Sequence, residues 1–209
     1  MAAINLIIVD VFELSTAGKF RQPMIDRVKE LYQECIDVAN AGLPAAQRHT
    51  FSVAAADKVK PLAGELDFII YLLPIFMKSI VRKKNGMAPL DNLLADHWGF
   101  TMVHTVGTAN SAETEIIHKS ADGASLGSVI FHELLHYKTG KGNGQLHPTG
   151  GLGAATVTPS SKTNAANRTD IVSTITKKIT PWLDGWDVCV SSRKLWESNK
   201  DLYEAGLLE

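Results

Sequence analysis

Hydrophobic and polar positions along the chain alternate between two rhythms. Ile4 to Phe12 (INLIIVDVF) is β-branched and almost continuously apolar, which predicts a buried strand. Gly18 marks the turn out of it, and Pro23 suits the first turn of a helix. Ile25, Val28, Leu31, Tyr32, Cys35, Ile36 and Ala39 then recur at intervals of three and four, an amphipathic helix that Gly42 and Pro44 bring to a stop. Thr50–Ala54 and Asp67–Leu73 read as two further short strands, the second of them buried. Phe100–Val106 and Glu115–His118 read as strands joined by a Gly/Thr/Asn/Ser loop in a hairpin.

The second half has a different rhythm. Arg82-Lys83-Lys84 with Asn85-Gly86 forms a solvated turn, and Leu90–Ala95 is a short helix candidate. Ser125–Thr139 predicts a helix ended by Gly140, followed by a long loop over residues 140–169 rich in Gly, Ser, Thr, Asn and Ala. Two more helices are expected, Asp170–Thr180, stopped by Pro181, and Ser192–Glu204. The order of strand, helix, strands, then helices predicts a single α+β domain over residues 1–209, α/β-like to about residue 140 and helical after it.

Composition narrows the class. The 209 residues are 45% hydrophobic and 21% charged, which excludes wholesale disorder. Lys and Arg total 21 against 22 Asp and Glu, for a net charge of -1, so nothing electrostatic favours a nucleic-acid or anionic-membrane partner. Cys35 and Cys189 cannot build a disulfide scaffold or a CxxC zinc site, and free, partly buried thiols are expected. The longest apolar run, Phe68–Met77, is broken by Pro74 and falls well short of the ~20 residues of a spanning helix. No basic segment precedes the first apolar stretch, which Asp10 and Glu13 interrupt. The expectation is a soluble cytoplasmic product, or one exported without a cleaved signal.

The candidate chemistry sits in Val129-Ile130-Phe131-His132-Glu133-Leu134-Leu135-His136-Tyr137, an H-E-x-x-H pattern. Two histidines four apart on a helix rise about one turn along one face, so their imidazoles can converge on one ion. Glu133 points away from that face and is available to work on a water as general base without being a ligand. The competing reading, a core helix with two incidental histidines, leaves two imidazoles and a carboxylate to be satisfied in an apolar interior, which is costly. A catalytic zinc takes three protein ligands and keeps one position open. His147 is the choice for the third, because Gly140, Gly142 and Gly144 permit the reversal that carries it back over His136. Asp170, Glu197 and Glu204 are its rivals, and a solvated loop histidine is the alternative to a ligand role.

This segment resembles the active-site helix of the zincin metallopeptidases, and the strands and helix ahead of it resemble the zincin N-terminal half, a twisted sheet whose edge strand borders the cleft. Metzincins continue with a glycine and a third histidine where this chain has Thr139 and Gly142, and all five methionines precede the motif, so the Met-turn is absent. A histidine behind a longer glycine-bearing loop is more similar to the SprT-type arrangement, without its cysteine ribbon; stand-alone zincins also occur among bacterial effectors and toxins. The resemblance implies a zinc peptidase: one Zn2+ on His132, His136 and His147, a water brought towards a pKa of ~7, and Glu133 moving its proton to the leaving amine. Tyr137, Tyr203 and His104 are candidates to support the oxyanion, His118 could line the cleft, and the strand around Phe100–Val106 could take an extended peptide by strand addition. Two rivals remain: a binding protein that holds zinc for stability or holds none, and a metal-dependent hydrolase of a non-peptide amide.

Overall fold

The first apolar run forms strand β1 (Ala3–Val9), and its burial alternates with the period of two that a strand imposes. Ile4, Leu6 and Ile8 are at most 1% exposed, whereas Ala3 and Asn5 are solvent-exposed. Asn5 accepts a hydrogen bond from Ser52 Oγ at 2.5 Å on that outer face. The computed structural model describes residues 1–9, 21–56, 68–74, 99–106, 109–118 and 123–177.

Helix α1 (Arg21–Asn40) follows, with Pro23 in its first turn and Gly42 beyond its end at a φ of 77°. It is the crossover from β1 to β2 (Thr50–Ala56), which lies parallel to β1 in the register Ala3↔Thr50 to Val9↔Ala56. Strand β3 (Phe68–Pro74) pairs in parallel with the other side of β1, and β5 (Ala109–His118) pairs in parallel with β3. Strand β4 (Gly99–Val106) runs antiparallel to β5 in a hairpin and closes one edge. The sheet order is β2-β1-β3-β5-β4, four parallel strands with one antiparallel edge, so the mixed α and β class expected from the sequence holds. The hairpin is tighter than its composition suggested, with Val106 already paired to Ala109.

Helix α2 (Gly123–Thr139) carries the H-E-x-x-H segment and is the central element of the core. Every residue from Leu126 to Lys138 is buried, because α2 is enclosed by α1, the sheet and the segment that follows it. Gly127 permits the close approach to α1: a Cβ there would lie 2.6 Å from Arg27 Cβ and 2.8 Å from the Met24 carbonyl oxygen. Arg27 is buried at that crossing, where its Nε donates to Ser128 Oγ at 3.2 Å and its Nη1 pairs with Glu30 at 2.8 Å. Tyr32 links sheet and helices, stacked on Phe51 with ring centroids 4.0 Å apart and edge-on to Phe131 at 6.3 Å. Cys35 carries a free, buried thiol, pushed up to about 12 by desolvation.

After α2 the chain is more ordered than its composition suggested. Gly140 adopts a φ of 70° and donates its N–H to the His136 carbonyl at 2.8 Å, ending the helix where the sequence placed the stop. A single helical turn (Asn143–Leu146) and two 3-10 turns (His147–Thr149 and Gly151–Gly153) lead to helix α3 (Ala165–Ser173). The helix expected over Asp170–Thr180 therefore begins five residues earlier and ends at Ser173. The reason is the Asn164 cap, whose side chain accepts the Asn167 N–H while the Asn167 side chain accepts the Asn164 N–H. Lys138 is fully buried at the other end of α3, with Nζ donating to the Thr174 and Lys177 carbonyls at 2.9 and 3.4 Å. Burial, and then the charge of Lys177, pushes the Lys138 ammonium down to about 7. The expected end of the first strand over Asp10–Phe12, the turns at Gly18 and Arg82–Gly86, Asp67 at the start of the third strand, the helices at Leu90–Ala95 and Ser192–Glu204, the stop at Pro181 and residue Cys189 lie outside the described residues. Among the described residues no helix is long and apolar enough to cross a membrane.

Candidate metal centre

Helix α2 delivers two imidazoles on one face, one turn apart. His132 and His136 are 8% and 6% exposed, and their Nε2 atoms stand 3.2 Å from each other. His147, half-buried at the start of the first 3-10 turn, completes a triangle with ring centroids 5.4 Å from each of the other two, which are 4.8 Å apart. One ring nitrogen from each of the three lies within 4.8 Å of the others, close enough to hold a metal ion.

The outer nitrogens decide what the inner ones can do. His132 Nδ1 donates to the Leu152 carbonyl at 2.9 Å, and His136 Nδ1 donates to the Lys141 carbonyl at 2.6 Å. A carbonyl oxygen can only accept, so each Nδ1 carries the proton and each neutral ring keeps a bare lone pair on Nε2. Burial holds both rings neutral. Desolvation takes His132 down to about 4, assisted by its two histidine neighbours against the hydrogen bond to Leu152, and lowers His136, assisted by His147 against the hydrogen bond to Lys141. Two lone pairs therefore face each other across 3.2 Å with no proton between them. A cation relieves that repulsion, so the donor set fits a metal ion.

Glu133 is 2% exposed on the same helix. Asp170, a rival third ligand, has its carboxylate bonded to Lys141 Nζ at 2.7 and 2.8 Å. His147 does return to the triad, but of the three glycines expected to make the reversal only Gly140 turns at positive φ; Gly142 is extended at a φ of -76° and Gly144 lies within the helical turn. Tyr137 is 3% exposed within the hydrophobic core. His104 lies on the edge strand β4 opposite Ser111, and His118 ends β5 opposite Pro74. Glu197, Tyr203 and Glu204 lie outside the described residues.

Several groups around the triad carried no signal of their own in the sequence. The Leu152 and Lys141 acceptors are backbone atoms, which every residue has. Asn167 is fully buried, and its Oδ1 accepts the Leu152 N–H at 2.9 Å, two bonds from His132. An Asn-x-x-Asn pair ahead of a helix is the one pattern that could have pointed to it. Compared with protein-family models, curated proteins and solved structures, the chain matches none.

Proposed function

We propose that this chain is a zinc-dependent metallopeptidase of zincin-like fold. The observation that carries the reading is the inward-facing Nε2 pair with His147 beside it and Glu133 next in sequence to the first ligand. Zinc bonded to imidazole nitrogen at about 2.0–2.1 Å in a tetrahedron separates its ligands by roughly 3.3 Å. The His132–His136 spacing of 3.2 Å agrees with that edge. Each of these two rings also gives its other N–H to a backbone carbonyl, the usual support of a ligating histidine.

When bound, zinc would acidify a water and polarise a substrate carbonyl. Three ligands among the described residues leave one tetrahedral position for water or substrate, which favours catalysis over a closed structural site. Glu133 accepts the proton of the attacking water and returns it to the departing amine nitrogen. Strand β4 supports a peptide substrate, because among the described residues it is an edge strand, and an edge offers backbone N–H and C=O groups to an extended chain. An amide outside a peptide would use the same centre without that strand, and a binding protein would need neither open position nor Glu133.

The test pairs metal content with turnover. Wild type should hold about one zinc per chain and cleave members of a mixed peptide library read by mass spectrometry. Glu133→Gln should keep the zinc and lose at least ~100-fold in rate, the lower range for a general base. Cleavage that survives in Glu133→Gln, or zinc that survives in His132→Ala and His136→Ala, would overturn the reading.

A further inference from the structure

Helix α3 reaches the segments behind the triad through two side chains on one of its faces, Asn167 and Asp170, three residues apart. Asn167 Oδ1 holds the Leu152 N–H at 2.9 Å, and the Leu152 carbonyl accepts from His132. Its Nδ2 donates to the Gly150 carbonyl at 3.3 Å and to Thr149 Oγ1 at 3.4 Å, so it also grips the turn that begins with His147. Asn164 adds a bond from Nδ2 to the Thr149 carbonyl at 2.8 Å. Only glycine permits this grip: Gly151 has a φ of 58°, and a Cβ there would lie 2.6 Å from Asn167 Oδ1. Asp170 takes both its bonds from Lys141 Nζ, and the Lys141 carbonyl accepts from His136.

We infer that α3 is a positioning platform for the metal centre: Asn167 and Asp170 fix the two backbone carbonyls that hold His132 and His136 with Nε2 turned inward. The inference rests on the metal-binding reading above and deepens it. Neither residue touches the site where an ion would sit. Both act through a main-chain segment that would otherwise be a glycine-rich loop with many conformations. The two arms differ in reach. Asp170 governs one histidine; Asn167 governs one histidine and the turn carrying another, so its loss is the more damaging.

The arms are separable because Lys141 is 35% exposed, so its replacement removes the bridge at the surface. Zinc affinity is measured on the full chain by competition with a chromophoric chelator, with circular dichroism of the metal-free protein as the control for folding. Lys141→Met and Asp170→Asn should each weaken zinc about tenfold, and the two together no more than either alone, since they break one contact. The charge-swapped pair Lys141→Asp with Asp170→Lys should recover most of the loss, which a general softening of the fold would not allow. Asn167→Asp, which keeps the shape and an acceptor oxygen but removes the Nδ2 donor, should cost up to about 100-fold and broaden the visible absorption of the Co2+-loaded protein. Lys162→Ala, which breaks only an exposed pair with Glu30 at 3.3 Å, should leave affinity unchanged. Wild-type zinc affinity in folded Lys141→Met and Asp170→Asn overturns the platform and leaves the metal reading standing. A wild-type chain that takes up no zinc overturns both. Should Asn167→Asp fail to fold, the Lys141–Asp170 arm alone decides.

Discussion

Replacing Gly127 with alanine should destabilise the protein, although alanine is the better helix former. The substitution sits inside α2, where the gain in helix propensity is about 1 kcal/mol. Against it stands the crossing with α1. The new methyl would meet Arg27 Cβ at 2.6 Å, Arg27 Cγ at 2.8 Å and the Met24 carbonyl oxygen at 2.8 Å. Carbon atoms in contact prefer about 3.5–4.0 Å, and two of the three obstacles are fixed to the α1 backbone, so the helices must separate by roughly 1 Å. Overpacking of that kind costs about 1–3 kcal/mol, and the separation also stretches the Arg27–Ser128 bond, already 3.2 Å long. Set against the gain in propensity, overpacking leaves a loss of about 0–2 kcal/mol, and weakening a hydrogen bond from a charged group adds about 1 kcal/mol, so the net loss is about 1–3 kcal/mol, which for a chain of this size lowers Tm by roughly 2–12 °C. Differential scanning calorimetry of the metal-free protein measures it. Gly144→Ala, with nothing within 4 Å of the added Cβ, is the matched control and should be close to neutral. A Gly127→Ala protein as stable as wild type would refute the close crossing and with it the account of why Arg27 can be buried.

Further outcomes follow from the same geometry. In metal-free protein, His132 titrates at about 4 when folded against 6.5 when unfolded, so the unfolded chain binds the extra proton. Stability from this group is complete above pH 6.5 and lost as pH falls towards 4; at 1.36 kcal/mol per pH unit the loss is about 3 kcal/mol. Urea unfolding between pH 7 and 4 should show it, and His132→Asn should remove that part of the slope. Chelation should lower Tm by roughly 5–10 °C from its value at free zinc one hundred times Kd, where binding adds about 2.7 kcal/mol; equal Tm values with and without chelator would argue against a site formed only in the folded state. Gly151→Ala should displace Asn167 and weaken zinc binding with little change in peptide-free secondary structure, read by chelator competition and circular dichroism.

The parts of this fold that were legible in the sequence are those whose signal is local. The α1 periodicity, the apolar β1, the Gly140 stop and the H-E-x-x-H helix each depend on neighbours within a turn or a strand, and within the described residues each appears where the pattern put it. Strand order was not legible, because the placement of β3 between β1 and β5 is settled by pairing across long stretches of chain. Residues 140–164 read as plain loop because Gly, Ser, Thr and Asn satisfy turns through backbone bonds that composition does not reveal. The start of α3 was misplaced for a related reason: the expectation began the helix at Asp170 and took its bound from the Pro181 stop, whereas the Asn164–Asn167 cap sets the beginning at Ala165. Burial of Arg27 and Lys138 ran against composition altogether. Each is accommodated by a specific partner set that only the folded chain assembles.

The three imidazoles, the carbonyls behind two of them and the side chains anchoring those carbonyls all come from the stretch between His132 and Asp170. The sheet and α1 are synthesised before any of it. During translation the described sheet and α1 can thus be in place while the histidine-bearing stretch is still emerging, and a nascent chain stopped just short of Ala165 would carry all three imidazoles yet lack the brace behind them. Capture of an ion would then be a late fastening step, timed by the arrival of α3 rather than by the ligands themselves.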